Sequence, residues 1–409
     1  MAVPERGDRR PDERPDPATR LALVDRPAVS RPPSLLVLLG CLAAAALAVH
    51  ATGGRAAPPD TFEWRLPPGF PPPRVPPDNP MTPAKVELGR RLFYDTRLSG
   101  NGTQACAGCH RQTLAFTDGR PRAVGSTGEV HPRSSLSLAN VAYNVALTWA
   151  DPDLRSLEEQ ALVPMFRERP VELGLAGREK ELVARLEADG LYAGMFRAAF
   201  PGEPGAIRIG NVTRALAAFE RTLISGDSPY DRLVYQGRMD ALPEAAWRGM
   251  RLFFSDRLAC SKCHGGINFA GVVVFEGMVG RVEPVFQNTG LYNLGGPGND
   301  PAEDDGLRSV THRRRDTGRF RTPTLRNIAL SAPYMHDGSI PTLEAVIDHY
   351  AAGGRAGDNN RYKSLLIRGF AITAAEKHDL IEFLRSLTDE SFVTDARFAD
   401  PWRSPGPVR

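Results

Sequence analysis

The chain has 409 residues, enough for two domains of ordinary size, each with its own core. Its 51 basic residues against 48 acidic ones leave a formal charge of +3, which gives no reason to invoke nucleic acid as a partner. Four of the five cysteines lie in two Cys-x-x-Cys-His triads, so no disulfide framework is left to propose.

Residues 1–51 read as a disordered arm, rich in Arg, Asp and Pro, followed by an export segment. The apolar run LLVLLGCLAAAALAV, Leu35 to Val49, has 15 residues. That length suits a secretory segment and is short for a membrane span of about 20 residues. Export to the periplasm is therefore expected, with small residues for cleavage around Val49-His50-Ala51. Acylation at Cys41, in Leu38-Leu39-Gly40-Cys41, is the second reading, and an uncleaved membrane anchor through residues 35–49 the third. Translation from Val29 would leave a short VSRPP segment before the run in place of the long arm.

Residues 52–81 carry the proline of PPGFPPPRVPPDNP and read as an extended, solvated tether. Thr82 can cap a helix with Pro83 at its first position, and Leu88 and Leu92 follow at helical spacing. This helix carries GRRLFYDTRL (89–98) and leads into Cys106, Cys109 and His110. A near copy, GMRLFFSDRL (249–258), leads into Cys260, Cys263 and His264, and LANVA (138–142) is echoed by LRNIA (325–329). Val212, Leu216, Phe219 and Leu223 form the stripe of a core-facing helix, and another helix is expected over Ala374 to Leu387. The expected fold is mainly α, two cytochrome c-like heme domains related by duplication, with long loops. The domains run 82–226 and 227–409, with the break in the turn Ser225-Gly226-Asp227-Ser228-Pro229.

A Cys-x-x-Cys-His lets two thiols add to the vinyl groups of a heme while the adjacent imidazole reaches the iron. Zinc would need further paired Cys or His ligands at matching spacing, which the sequence does not offer. Two covalently bound c-type hemes follow, with His110 and His264 as the iron ligands.

With these motifs, FRTPTLRNIALSAPYMHDGS (320–339) and the Thr-Trp of ALTWADP (146–152), the chain resembles the bacterial diheme cytochrome c peroxidase and MauG superfamily over roughly residues 82–390. The resemblance implies that the first heme meets peroxide and the second is six-coordinate. The peroxidases place an axial methionine fourteen residues beyond the histidine of HDG, here His336; this chain has Tyr350 there, as MauG-type enzymes do. A thioether is soft and raises the potential, whereas a phenolate is hard and favours oxidised iron. Met335, His336 and His349 are the rival ligands; His349, next to Tyr350 on a helix, would face about 100° away.

The resemblance assigns proton handling at the first heme to Gln160 and Glu172, with Glu168 as the alternative acid. It places Trp149 between the hemes. His131 falls five residues late for the histidine that closes the first heme in the peroxidases, so an iron open to peroxide is expected. Calcium is implied near Ser134, Ser331 and Pro333, with Ser134 in place of an asparagine. The run HRRRDTGRFR, His312 to Arg321, reads as a solvated loop, or else as a partner for heme propionates or an acidic protein.

CAGCHRQTLAFTDGR and HPRSSLSLANVAYN are most similar to the MbnH-type branch of MauG-like enzymes. That similarity implies peroxide-driven oxidation of an aromatic side chain, a tryptophan, on a partner protein, a small copper-binding protein. A diheme cytochrome c peroxidase fed by a small cytochrome is the alternative, and a non-catalytic electron carrier the third reading.

Overall fold

The computed structural model describes residues 62–292, 304–355 and 362–403, so the N-terminal arm, the apolar run and Cys41 lie outside the described residues. No helix among those described is long and apolar enough to cross a membrane. As expected, helices joined by long loops carry the architecture.

Helix α1 (Pro83–Phe93) starts as its cap predicts, with Thr82 Oγ1 accepting from the Lys85 amide at 3.2 Å. Cys106–Cys109 is itself one helical turn, α2. After a long loop come α3 (Leu157–Phe166), α4 (Glu179–Glu187), α5 (Gly190–Ala199) and α6 (Ile209–Arg221). The second half opens with α7 (Pro229–Gln236), started by a Ser228/Asp231 capping box, and α8 (Glu244–Phe253). It continues through the short α9 (Arg308–Thr311) to α10 (Leu343–Ala351), α11 (Ala374–Arg385) and α12 (Glu390–Thr394). The sheet among the described residues is one antiparallel pair, β1 (Phe286–Gln287) with β2 (Phe320–Arg321).

The two halves repeat their local geometry. Helix α1 packs on α6, and α8 on α11. Each decamer opens with glycine because the helices touch there: a Cβ on Gly89 would stand 1.9 Å from Ala215 O, and one on Gly249 1.9 Å from Asp379 O. Asn140 and Asn327, the matching residues of LANVA and LRNIA, are both left-handed, with φ of 58° and 59°, a region asparagine tolerates better than most residues. Their amides donate to Leu223 O (2.8 Å) and Leu387 O (3.0 Å). Their side chains meet on Ser225, in the predicted turn between the halves. These paired contacts support the reading of a duplicated unit.

Val212, Leu216 and Phe219 form the buried stripe expected of α6, while Leu223 lies just past its C-cap, Thr222, and is also buried. The helix is covered by α1 and α3, and every residue from Ala215 to Arg221 is buried. Polar residues at its C-terminal end are thereby drawn inside: Arg221 pairs with Glu158 at 2.7 Å, and Glu220 is buried beside it.

Two expectations about organisation are corrected. Residues 62–81 form no helix or strand, but they are not a solvated tether. Phe70, Asn79 and Met81 are buried, the Phe70 ring meets Tyr143 and Tyr235, and Pro71 O accepts from the Tyr143 hydroxyl at 2.7 Å. The aromatic ring in the proline-rich run supplies enough apolar surface to anchor it. Nor do all residues after 227 pack as a second unit. Phe392, Val393 and Phe398 complete the core around Leu88, Phe116 and Phe219, and Gln112 Nε2 donates to the carbonyls of Phe392 and Asp395.

Candidate functional site

Each Cys-x-x-Cys-His faces its own cavity. In the N-terminal half, Cys106, Cys109 and His110 share the lining with Gln160 from α3 and Glu172 from the loop beyond it. His110 Nδ1 lies 2.9 Å from Phe116 O. A carbonyl can only accept, so this nitrogen carries the proton and Nε2 is left with a lone pair free for a ligand bond. In the C-terminal half His264 Nδ1 makes the same bond to Phe269 O, at 2.9 Å. Burial holds both imidazoles below their ordinary range, hence neutral.

Among the described residues the four cysteines, all in the two motifs, form no disulfide. Burial pushes the thiols up, Cys109 to about 11 and Cys260 to about 12. Among the described residues no cluster of three or more His, Cys, Asp or Glu could hold a metal ion, so neither Cys pair is joined by the further ligands a structural zinc needs. The N-terminal cavity also presents a polar group without a protein counterpart. Ser135 Oγ, buried and unbonded, belongs to a residue of the N-terminal lining. A large, mostly apolar group with a polar edge, reached by two thiols and one imidazole Nε2, fits both cavities.

Tyr350 of α10 lines the C-terminal cavity amid Leu343, Ile347 and Phe370, and burial raises its hydroxyl above the ordinary phenol range. Of the rival ligands, Met335 and His336 also line this cavity. His336 is stacked on Phe320 at 3.7 Å, its pKa lowered by burial to about 4. His349 is turned away, its Nε2 3.1 Å from Thr289 O, as the helical offset from Tyr350 predicts.

At the other cavity, Gln160 and Glu172 come together in the lining, whereas Glu168 is exposed and outside it. Burial raises the Glu172 carboxyl, offset in part by Arg167. His131 also lines this cavity, with Nε2 3.8 Å from Glu172 Oε1 and Nδ1 accepting from the Arg133 amide. Burial and then Arg133 lower His131 to about 4, so it is neutral and its contact with Glu172 is not an ion pair at neutral pH.

Trp149 lines both cavities. Its Nε1 donates to Ser134 O at 2.8 Å, and its own carbonyl accepts the Arg321 amide at 2.7 Å. A single indole therefore forms a wall common to the two centres.

The family model described as Di-haem cytochrome c peroxidase matches residues 83–240. Methylamine utilization protein MauG of Methylorubrum extorquens is 37% identical over 80% of this chain and 84% of its own length. Cytochrome-c peroxidase IdrP1 of Pseudomonas sp. SCT is 35% identical over 88% of this chain and 93% of its own. The crystal structure of a MauG-like protein associated with microbial copper homeostasis superimposes with a TM-score of 0.80 at 46% identity, covering 84% of this chain and 100% of that one.

The chain belongs to the di-haem cytochrome c peroxidase and MauG family.

As a member of the MauG family it is a heme-dependent oxidoreductase with two hemes. Two polar residues of its cavities are not evident from sequence. Glu220 lines the N-terminal cavity, its carboxyl raised by burial to about 8; its position next to Phe219 on α6 gave no signal, because a helix buried on every side shows no polar face. Arg321 lines the C-terminal cavity and is buried, although it ends the run HRRRDTGRFR. The solvated-loop reading holds for His312 to Arg315, which are exposed, and fails for Arg321.

For calcium, the Ser134 amide and hydroxyl bond to His336 O (2.7 Å) and Met335 O (3.1 Å), which sets Ser134 against the segment following Ser331 and Pro333. These three residues offer only neutral oxygens, a hard donor set without the carboxylates that give calcium sites their affinity.

Proposed function

We propose that the protein is an exported, periplasmic MauG-type oxidase that uses hydrogen peroxide to oxidise an aromatic side chain, a tryptophan, of a partner protein. The observation that carries this reading is Tyr350 in the lining of the second Cys-x-x-Cys-His cavity, where a phenolate oxygen would favour oxidised iron over an electron-carrying role. Similarity to a MauG-like protein associated with copper homeostasis supports a small copper-binding protein as the partner.

In this reading the thioether bonds form at Cys106, Cys109, Cys260 and Cys263, and His110 and His264 hold the irons. The hemes supply the redox chemistry: peroxide takes up two electrons and two protons to give two waters, and the partner side chain loses the two electrons. Glu172 takes a proton from the incoming peroxide and returns it to the departing oxygen, with Gln160 orienting the molecule. Glu172 is suited to both halves of that task because burial has raised its carboxyl above the ordinary carboxylate range. Trp149, whose Nε1 donates to Ser134 O, would be the aromatic side chain through which oxidising equivalents could pass between the two cavities. Ser134, Ser331 and Pro333 are the candidate calcium ligands, water completing the shell.

The peroxidase reading keeps a specific support in the similarity to IdrP1. Adding peroxide to the diferric protein separates the readings. A long-lived state two equivalents above rest supports the oxidase. A need for prior one-electron reduction supports the peroxidase, and absence of reaction supports a plain electron carrier.

A further inference from the structure

Three arginines are buried among the described residues: Arg221, Arg321 and Arg326. Arg221 pairs with Glu158 at 2.7 Å and Arg326 with Asp231 at 2.7 Å. Arg321 has no carboxylate. Its Nε donates to Thr148 O at 3.1 Å and Nη1 reaches Thr322 O at 3.5 Å, both neutral carbonyls. It lines the C-terminal cavity, and among the described residues no aspartate or glutamate shares that lining. Burial alone, with no acidic neighbour to oppose it, lowers Arg321 to about 10.

A guanidinium withdrawn from water without a counter-ion is costly, and proteins retain buried arginines where an anion compensates them. This one stands in the wall of a cavity that accommodates a heme. The heme carries two carboxylates, the propionates, and a planar guanidinium matches a carboxylate fork to fork. Arg321 sits on β2, where its backbone amide donates to Trp149 O and its Nε to the preceding carbonyl, Thr148 O. The same residue thus reaches the cavity with its side chain and Trp149 with its backbone.

We propose that Arg321 is the counter-ion of a propionate of the C-terminal heme, and that it fixes this carboxylate edge of the heme to the Trp149 segment shared with the other centre. The inference rests on the reading that this cavity holds a heme. Arg321 acts here as a positioning residue.

The test uses the full holoprotein with its heme carboxyls labelled with carbon-13 through labelled aminolevulinate. Redox-difference infrared spectra are recorded for the unmodified protein, Arg321→Lys and Arg321→Gln. A labelled carboxylate band that shifts in the lysine variant, where a point charge replaces the planar fork, and shifts further in the glutamine variant is expected. The C-terminal heme potential should fall in Arg321→Gln, which loses a cation that stabilises the reduced centre, and stay closer to its original value in Arg321→Lys. Should Arg321→Gln not fold, the lysine variant alone decides by its band. Labelled bands identical in every folded variant overturn the proposal. Heme content is measured in parallel by pyridine hemochromogen: an empty C-terminal centre in the unmodified protein overturns the heme reading itself, whereas full loading with unmoved bands overturns only the role of Arg321.

Discussion

The indole Nε1 of Trp149 donates to the carbonyl of Ser134 at 2.8 Å, and that bond orients a ring lining both cavities. Trp149→Phe keeps an aromatic body and removes the bond, at a cost of about 1 kcal/mol in stability. Peroxide should still alter the N-terminal heme of this variant, while the accompanying spectral change at the C-terminal heme is slowed or lost. Stopped-flow spectra showing both hemes responding together at the original rate would remove Trp149 from the relay.

Tyr350→Phe should change the absorption and paramagnetic resonance spectra of the C-terminal heme, since it deletes the phenolic oxygen and little else. Tyr350→Met should raise that heme's midpoint potential, because a thioether favours reduced iron. Unchanged spectra in Tyr350→Phe would transfer the ligand to Met335 or His336, which line the same cavity.

Glu172→Gln should slow the reaction with peroxide by about 10²- to 10⁴-fold, the usual contribution of a positioned acid–base group, with heme spectra at rest unchanged. The Glu172 carboxyl is held above its ordinary value, chiefly by burial. As a base it works only when ionised, so the rate in the unmodified protein should decline as pH falls through that raised pKa. A rate that does not decline as the pH is lowered would assign the proton to another group.

Glu220 shows how burial converts to pH-dependent stability. The unfolded chain releases this proton near about pH 4.3, whereas the folded protein keeps it until about 8. Between those values the folded state binds more protons, so stability falls as pH rises, by up to about 1.4 kcal/mol per pH unit, and levels off above the folded pKa. Glu220→Gln cannot ionise and should raise the thermal midpoint more at pH 8 than at pH 5. Equal gains at both values would contradict a protonated Glu220.

Gly89→Ala places a methyl group 1.9 Å from Ala215 O, and Gly249→Ala places one 1.9 Å from Asp379 O. Overpacking of this kind costs about 1–3 kcal/mol, because helices in contact must separate. Denaturant unfolding should show each loss, and a neutral result at either position would mean that helix pair can slide without penalty.

The features legible in the sequence were those set by residues within a few positions of one another. Thr82 before Pro83 announced α1, the two Cys-x-x-Cys-His triads announced the cavities, and the helical offset between His349 and Tyr350 announced that the two would face different ways. Glu172 was separated from Glu168 only by the fold, which puts one in the cavity lining and leaves the other exposed. Phe70 was hidden by the prolines around it, and the return of Phe392 and Phe398 to the first core left no trace in local pattern.

By itself the sequence determined the covalent and local chemistry: where thiols and imidazoles can meet a heme, where helices start, and that the unit occurs twice. Tertiary structure decided what those centres share, namely Trp149 in both walls, Arg321 buried without a carboxylate and Glu220 held protonated. The reason is physical. Helix caps and heme motifs depend on short-range geometry that the chain carries with it, whereas desolvation and missing counter-ions are properties of an interior assembled from segments far apart in sequence.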